Sequence, residues 1–175
     1  RMGTPISIKF MKAFAAEQAL SLREYKTPEK AEDKGKKVCV IGAGPGGMSA
    51  AYYLALKGYG VTVIEALPMA GGMMMIGIPR YRLPREVIDR EVEMIRSLGV
   101  ELRFNTRFGQ DVTLDSLKAD GFDAFFFAIG AHKTFKMNIP GEDDYPEGHP
   151  SIDFRRAGAL GDRRLPGKRV VVIGG

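Results

Sequence analysis

Val38-Cys-Val-Ile-Gly-Ala-Gly-Pro-Gly-Gly47, followed by Val61-Thr-Val-Ile-Glu65, decides the fold. The two segments read as strand, glycine turn, helix, strand and terminal acid, the order of a dinucleotide-binding βαβ unit. Gly42 lets the chain leave the first strand in a tight turn. Gly44 lets the backbone approach a pyrophosphate with no Cβ in the way, and Gly47 lets the next helix pack closely on the sheet. That helix points its unpaired N–H groups and positive dipole end at the phosphates. Glu65, at the tip of the second strand, is placed to accept hydrogen bonds from a ribose. A lone glycine triplet carries little information. Here the strands, the helix and the acid all fall in order, so an adenine dinucleotide is the expected ligand. The competing reading is a glycine-rich strand turn in an unrelated α/β domain.

Outward from this unit, the 175 residues are 45% hydrophobic and 27% charged, ordinary for a globular domain with one good core. No apolar run reaches the ~18 residues of a membrane span, and no secretory segment follows Arg1-Met-Gly-Thr-Pro5, so no membrane insertion and a cytoplasmic setting are expected. The single Cys39 lies inside the first apolar strand. It allows no disulfide framework and no zinc or iron–sulfur site within the chain, and no metal ligands are assigned. The net charge of +5 is spread along the chain without aromatic interleaving, which argues against nucleic-acid binding.

The apolar spacing from Ile6 to Leu20 predicts a helix, and Tyr25–Lys37 a charged linker. A helix from Pro45 to Lys57 stops at Gly58. Pro68–Pro84 lacks regular periodicity, and an irregular stretch of that length is often functional. A helix follows from Pro84 to about Leu98, then a short strand Glu101–Phe104, a turn and Leu114–Leu117. Asp123-Ala-Phe-Phe-Phe-Ala-Ile129 is apolar enough for a strand buried on both faces, with Phe125-Phe-Phe127 in the core. A loop through Pro140–Pro150 precedes a short helix near Ile152–Leu160. Gly167-Lys-Arg-Val-Val-Val-Ile-Gly174 then repeats Gly35-Lys-Lys-Val-Cys-Val-Ile-Gly42 almost position for position. The expected fold class is α/β: a partial Rossmann-like FAD-binding domain with a mostly parallel sheet, a preceding linker helix, and the first strand of a second nucleotide-binding domain. The expected divisions are 1–36, 37–166 and 167–175, the whole being a piece of a longer protein.

The first nucleotide could be FAD or a nicotinamide dinucleotide. FAD is favoured by Gly71-Gly72 turning the chain back after Glu65, by the cations of Gly77-Ile-Pro-Arg-Tyr-Arg-Leu-Pro84, and by the close backbone approach offered at Ala128-Ile-Gly130. Together with Ala128-Ile-Gly-Ala-His-Lys133 and Ile139-Pro-Gly-Glu142, these motifs resemble the small (beta) subunit of NADPH-dependent glutamate synthase. They are also similar to the flavin half of dihydropyrimidine dehydrogenase. The resemblance covers nearly the whole chain, including Pro5-Ile-Ser-Ile-Lys-Phe-Met-Lys-Ala-Phe14.

The resemblance implies that NAD(P)H binds a second domain and reduces FAD, whose electrons leave singly through 4Fe-4S clusters held outside this chain to a large subunit or another acceptor subunit. It implies that Gly42, Gly44, Pro45, Gly46 and Gly47 contact the pyrophosphate and Glu65 the adenosine ribose. It puts Gly72 and Met73 near the cofactor's middle, Arg82 at the phosphate–flavin region, and the backbone at Phe108 by the adenine. Ala128 and Gly130 complete the cofactor set. No catalytic side chain is assigned, because the flavin carries the redox chemistry. Ile129 stands where many flavoproteins have Thr, so no side-chain hydrogen bond is assigned there. Arg80 and Arg85 read as surface charges, His132 as a loop histidine without a redox role, and His149 as solvated. Other readings are a non-catalytic nucleotide-binding module of a multisubunit electron-transfer complex, or a flavin disulfide reductase. Residues 1–175 alone are expected to bind FAD weakly and to be inactive.

Overall fold

The structure, a computed structural model, describes residues 5–21, 28–145, 148–164 and 166–174. The opening Arg1–Thr4, the start of the charged linker (22–27), Pro146 and Glu147 of the long loop, Leu165 and the final Gly175 lie outside the described residues. Helix α1 spans Ile8–Ser21; then come β1 Lys37–Ile41, α2 Pro45–Leu56, β2 Gly60–Ile64, α3 Met73–Ile76 and α4 Arg85–Ser97. They are followed by β3 Glu101–Arg103, α5 Leu114–Ala119, β4 Ala124–Phe127 and α6 Ser151–Ala159.

The four strands form one parallel sheet in the order β3-β2-β1-β4. Val38 pairs with Val61 and Ile41 with Ile64, while Val38 also pairs with Ala124 across the other edge of β1. This register and the two-residue period of strand side chains sort the core by face. Val40, Val61 and Val63 pack with Met48, Ala51 and Ala55 of α2 and with Ile95 of α4. Cys39, Ile41 and Ile64 point the other way, onto Leu117 of α5 and Phe122. The central strands are therefore apolar on both faces, as a parallel sheet covered on both sides requires.

The helices follow from local signals. Pro45 opens α2, where its missing N–H costs nothing. In α4, Ile88 and Ile95 recur on one face at a spacing of two turns and are buried. Thr113 and Ser116 form a reciprocal capping box that starts α5.

Three expectations need correction or refinement. β4 is not buried on both faces: Phe126 is 44% exposed and Phe127 50%, and only Phe125 packs against the core cluster. The physical reason is position, since β4 is the sheet's edge and has a strand on one side only. Residues 166–174 form no strand, and Val170–Ile173 are exposed; among the described residues no strand pairs with them. The described part of the charged linker is tied down. The Ala31 N–H donates to the Leu56 carbonyl, the Lys34 N–H to that of Gly58, and Lys30 Nζ to that of Leu98. These contacts fasten it to the C-terminal ends of α2 and α4. The apolar side chains Ile8, Phe10, Met11 and Phe14 of α1 are exposed.

Candidate functional site

The carboxyl ends of the strands carry the candidate site, where open α/β sheets place their ligands. β1 ends in Gly42, at φ +107°, a conformation that side chains disfavour. A Cβ there would sit 2.4 Å from the Ala128 carbonyl oxygen, so the turn passes directly against the end of β4. The Gly42 N–H donates to the Ile64 carbonyl and the Ala128 N–H to that of Ile41, which brings the tips of β1, β2 and β4 together. At Gly47 a Cβ would lie 1.9 Å from the Gly42 carbonyl oxygen, so α2 rests on the turn through a bare backbone. Both glycines have the roles that their spacing suggests.

Gly44 is different. It caps α2 at φ −74°, ψ −179°, an ordinary extended conformation. The nearest atom to a Cβ there would be the Gly72 Cα, at 3.9 Å. Neither strain nor packing within the protein demands glycine at this position. No side chain caps α2, and its first turn carries no acidic residue. The N–H groups of that turn and the positive dipole end are thus open toward an anion.

Glu65, half-buried just past β2, spans the turn. Its Oε2 accepts the Ala43 N–H at 2.7 Å and its Oε1 the Leu67 N–H at 2.8 Å. The two bonds fix the carboxylate beside the glycine turn, and each oxygen retains acceptor capacity for a hydroxyl. The Glu65 carbonyl accepts the Thr106 N–H, which extends the β2–β3 pairing and leads the chain to Phe108. Phe108 bridges to Val112, and its ring meets that of Phe127 edge-on, centroids 5.2 Å apart.

The irregular stretch after Glu65 returns to the turn as its glycines suggest. The Gly71 N–H donates to the Ala43 carbonyl at 2.8 Å. Gly72 has φ +50°, and a Cβ on it would be 2.7 Å from the Gly44 Cα. Met73 begins α3 from that contact and is half-buried, whereas Met75 and Ile76 are buried. Gly42, Gly44, Pro45, Gly47, Glu65, Gly72, Met73 and Ala128 therefore share one neighbourhood. Gly46 follows Pro45 in α2 with open space around it, and Gly130 lies two residues beyond Ala128 at φ +70°.

The three arginines of this region are not equivalent. Arg80 is ion-paired with Glu86. Arg85 is not the surface charge expected of it: half-buried, it donates to the carbonyls of Met74 at 2.9 Å and Ile78 at 3.2 Å. Arg82 is exposed; its amide donates to the Pro79 carbonyl, and its guanidinium has no partner among the described residues. His132, half-buried, faces Arg156 of α6 through Nδ1 at 3.3 Å. A cavity of about 250 Å³ lies at the opposite, amino ends of the strands, lined by Lys37, Gly60, Gly99, Glu101 and Asp120 among others. Its Glu101 is already held by Arg103 and Thr62, the Arg103 guanidinium keeping that carboxyl below the usual range. Among the described residues no cluster of His, Cys, Asp and Glu could hold a metal ion. Among them, too, no helix is long and apolar enough to cross a membrane.

Parallel sheet, glycine turn, strand-tip acid and returning Gly-Gly define a dinucleotide-binding domain of the Rossmann type. Residues 36–175 match the family described as pyridine nucleotide-disulphide oxidoreductase, and the chain belongs to that family. Curated relatives agree. The NADP(+)-dependent formate dehydrogenase subunit beta of Moorella thermoacetica is 53% identical over 81% of this chain and 20% of its own length. The NADPH-Fe(3+) oxidoreductase subunit beta of Geobacter sulfurreducens is 47% identical over 81% of this chain and 22% of its own. The glutamate synthase [NADPH] small chain of Escherichia coli is 36% identical over 81% of this chain and 32% of its own. The chain thus spans 20% to 32% of the length of these relatives. Among solved structures, Mycobacterium tuberculosis FprA in complex with NADPH shares the fold, with a TM-score of 0.61 at 24% identity over 70% of this chain and 28% of that one.

Proposed function

We propose that this chain is the FAD-binding portion of an NADPH-dependent oxidoreductase that passes electrons from NADPH through FAD to iron–sulfur clusters and on to a partner subunit. The observation that carries the proposal is Gly44. The fold leaves room for a side chain there and the sequence supplies none, as a site reserved for a closely approaching ligand requires. Gly42, Pro45, Gly46 and Gly47 would line the pyrophosphate's site, and the N-terminal turn of α2 would offset part of its charge. Glu65, held by Ala43 and Leu67, presents its remaining lone pairs to the adenosine ribose, with the backbone at Phe108 beside the adenine. Gly72 and Met73 border the middle of the cofactor, and Ala128 and Gly130 border it from β4. Arg82 supplies the cation, because Arg80 and Arg85 are engaged elsewhere.

A flavin held here would supply acceptance of a hydride, two electrons with one proton, from a nicotinamide and release of those electrons singly. The chain's own residues bind and orient it; no side chain here acts as an acid or base. The names of the relatives support NADPH as donor and a multisubunit setting, with a large subunit or other acceptor subunit as partner. Residues 1–36 serve as connection to an iron–sulfur domain, 37–166 as the FAD domain, and 167–175 as the opening of a second nucleotide domain, in a cytoplasmic protein.

The test is direct. Purified full-length protein releases FAD on denaturation, and its bound flavin bleaches when NADPH is added without oxygen. A colourless protein that cannot be reconstituted with FAD refutes the proposal.

A further inference from the structure

The segment from Gly71 to Pro84 has to be held still if Gly72 is to border the glycine turn; the Gly71 N–H bond to the Ala43 carbonyl fixes its start, and the rest has little regular structure of its own. Its single helix, α3, has four residues, far below the length at which a helix is stable by itself. Met75 and Ile76 bury one side of it, and a pocket of about 120 Å³ opens beside Met74, lined by Met48, Gly71, Leu83, Val87 and Ile88 among others.

Arg85 adds a polar constraint to the packing of the buried Met75 and Ile76. It is the first residue of α4, which is anchored in the core through Ile88 and Ile95. Its Nη1 donates to the Met74 carbonyl and its Nη2 to the Ile78 carbonyl. These carbonyls lie in and just beyond α3, where helical carbonyls lack partners within the helix. The planar fork of the guanidinium spans two acceptors at once, which a lysine ammonium does only by giving up that geometry. Arg80, paired with Glu86, is not available for the task.

We propose that Arg85 is a positioning residue of the nucleotide site: by clasping the Met74 and Ile78 carbonyls it holds the Gly71–Pro84 segment on α4, which keeps Gly72 against Gly44 and presents Arg82. Arg85 itself touches no cofactor. The proposal takes the ligand's identity, FAD, from the reading above.

Two variants of the full-length protein, Arg85→Gln and Arg85→Lys, test it with two readouts. The first is amide hydrogen exchange without nucleotide. In Arg85→Gln the amides of Gly77, Ile78, Arg82 and Leu83 exchange roughly tenfold faster or more, while Val40 and Val63 in the sheet keep their protection. The second is FAD affinity, which falls about tenfold or more in Arg85→Gln and is partly restored in Arg85→Lys. Unchanged exchange in the segment overturns the proposal. So does faster exchange with unaltered FAD affinity, or equal loss of protection in segment and sheet, which would mark general destabilisation. If the unsubstituted protein binds no FAD, the flavin reading fails separately, and the exchange result still decides whether Arg85 holds the segment.

Discussion

Replacing Gly44 by Ala separates the needs of the fold from the needs of a ligand. The backbone at φ −74° accepts any residue, and the new methyl would meet only the Gly72 Cα, at an ordinary van der Waals distance of 3.9 Å. Two small effects on the ligand-free protein oppose each other. A less flexible unfolded chain stabilises by about 0.4–1 kcal/mol. Alanine is a poorer N-cap than glycine, which costs roughly as much. The net change is within about 0.5 kcal/mol, and the melting temperature moves by no more than ~2 °C. On the proposed placement of the dinucleotide, the same methyl stands where the pyrophosphate approaches the backbone. Forcing a methyl into a filled contact costs about 1–3 kcal/mol, and at 1.4 kcal/mol per decade FAD binding weakens roughly 5- to 150-fold. Thermal melts of the apoprotein and fluorescence titration with FAD, both on the full-length protein, read the two quantities. A variant that binds FAD as tightly as the parent refutes the placement of the pyrophosphate. A fall in apoprotein melting temperature of more than ~5 °C refutes the claim that Gly44 is free of structural duty.

Gly47→Ala behaves in the opposite way: its Cβ would collide with the Gly42 carbonyl oxygen at 1.9 Å, and neither atom can rotate aside. An overpacking cost near the top of the 1–3 kcal/mol range, less the ~0.5–1 kcal/mol gained in helix propensity, leaves a loss of about 2 kcal/mol. The apoprotein's melting temperature drops by roughly 4–8 °C in a thermal melt, and an unchanged value contradicts the packing. Asp123 accepts from Lys36 Nζ at 2.7 Å and from the Lys37 N–H at 2.8 Å, and these bonds hold its carboxyl below the usual range, the Lys36 bond contributing most. A depressed folded-state pKa stabilises above the unfolded value of about 3.9 and is lost as pH falls through the folded value. The melting-temperature gap between parent and Asp123→Asn is therefore constant near neutral pH and closes in acid; a gap that widens in acid contradicts the assignment. Cys39 is fully buried, and burial pushes its thiol up to about 11. A thiol reagent at pH 8 leaves Cys39 unlabelled in the folded protein and labels it after denaturation, as peptide mass spectrometry reads. Rapid labelling of the native state counts against β1 as a central strand.

The part of the fold legible in the sequence is the part with strong local chemistry. Strand, glycine turn, helix and acid announced themselves because each residue type answers a local demand: a left-handed φ at Gly42, a vanished Cβ at Gly47, a proline at the first helical position, Pro45. Val38–Ile41 and Val61–Ile64 are apolar on both faces and became the two central strands. By the same composition Phe125–Phe127 should be central too, yet β4 is the edge. Apolar content reports that a strand can be covered; it does not report what covers it. Val170–Ile173 make the same point, since a β-prone run with no pairing strand forms no strand.

The site shows a second limit, in the arginines. Arg80, Arg82 and Arg85 lie within six positions and look alike as sequence, so only the family resemblance singled out Arg82. What distinguishes them is the target within reach. The segment after Pro79 puts the carboxylate of Glu86 by Arg80, and the start of α4 puts the carbonyls of Met74 and Ile78 by Arg85. Those carbonyls lack partners only because α3 ends after a single turn, which Gly77 and Pro79 foreshadow but do not locate in space. An arginine's role is set by the unsatisfied acceptors around it. With its two neighbours engaged, Arg82 is the one of the three whose guanidinium has no partner among the described residues.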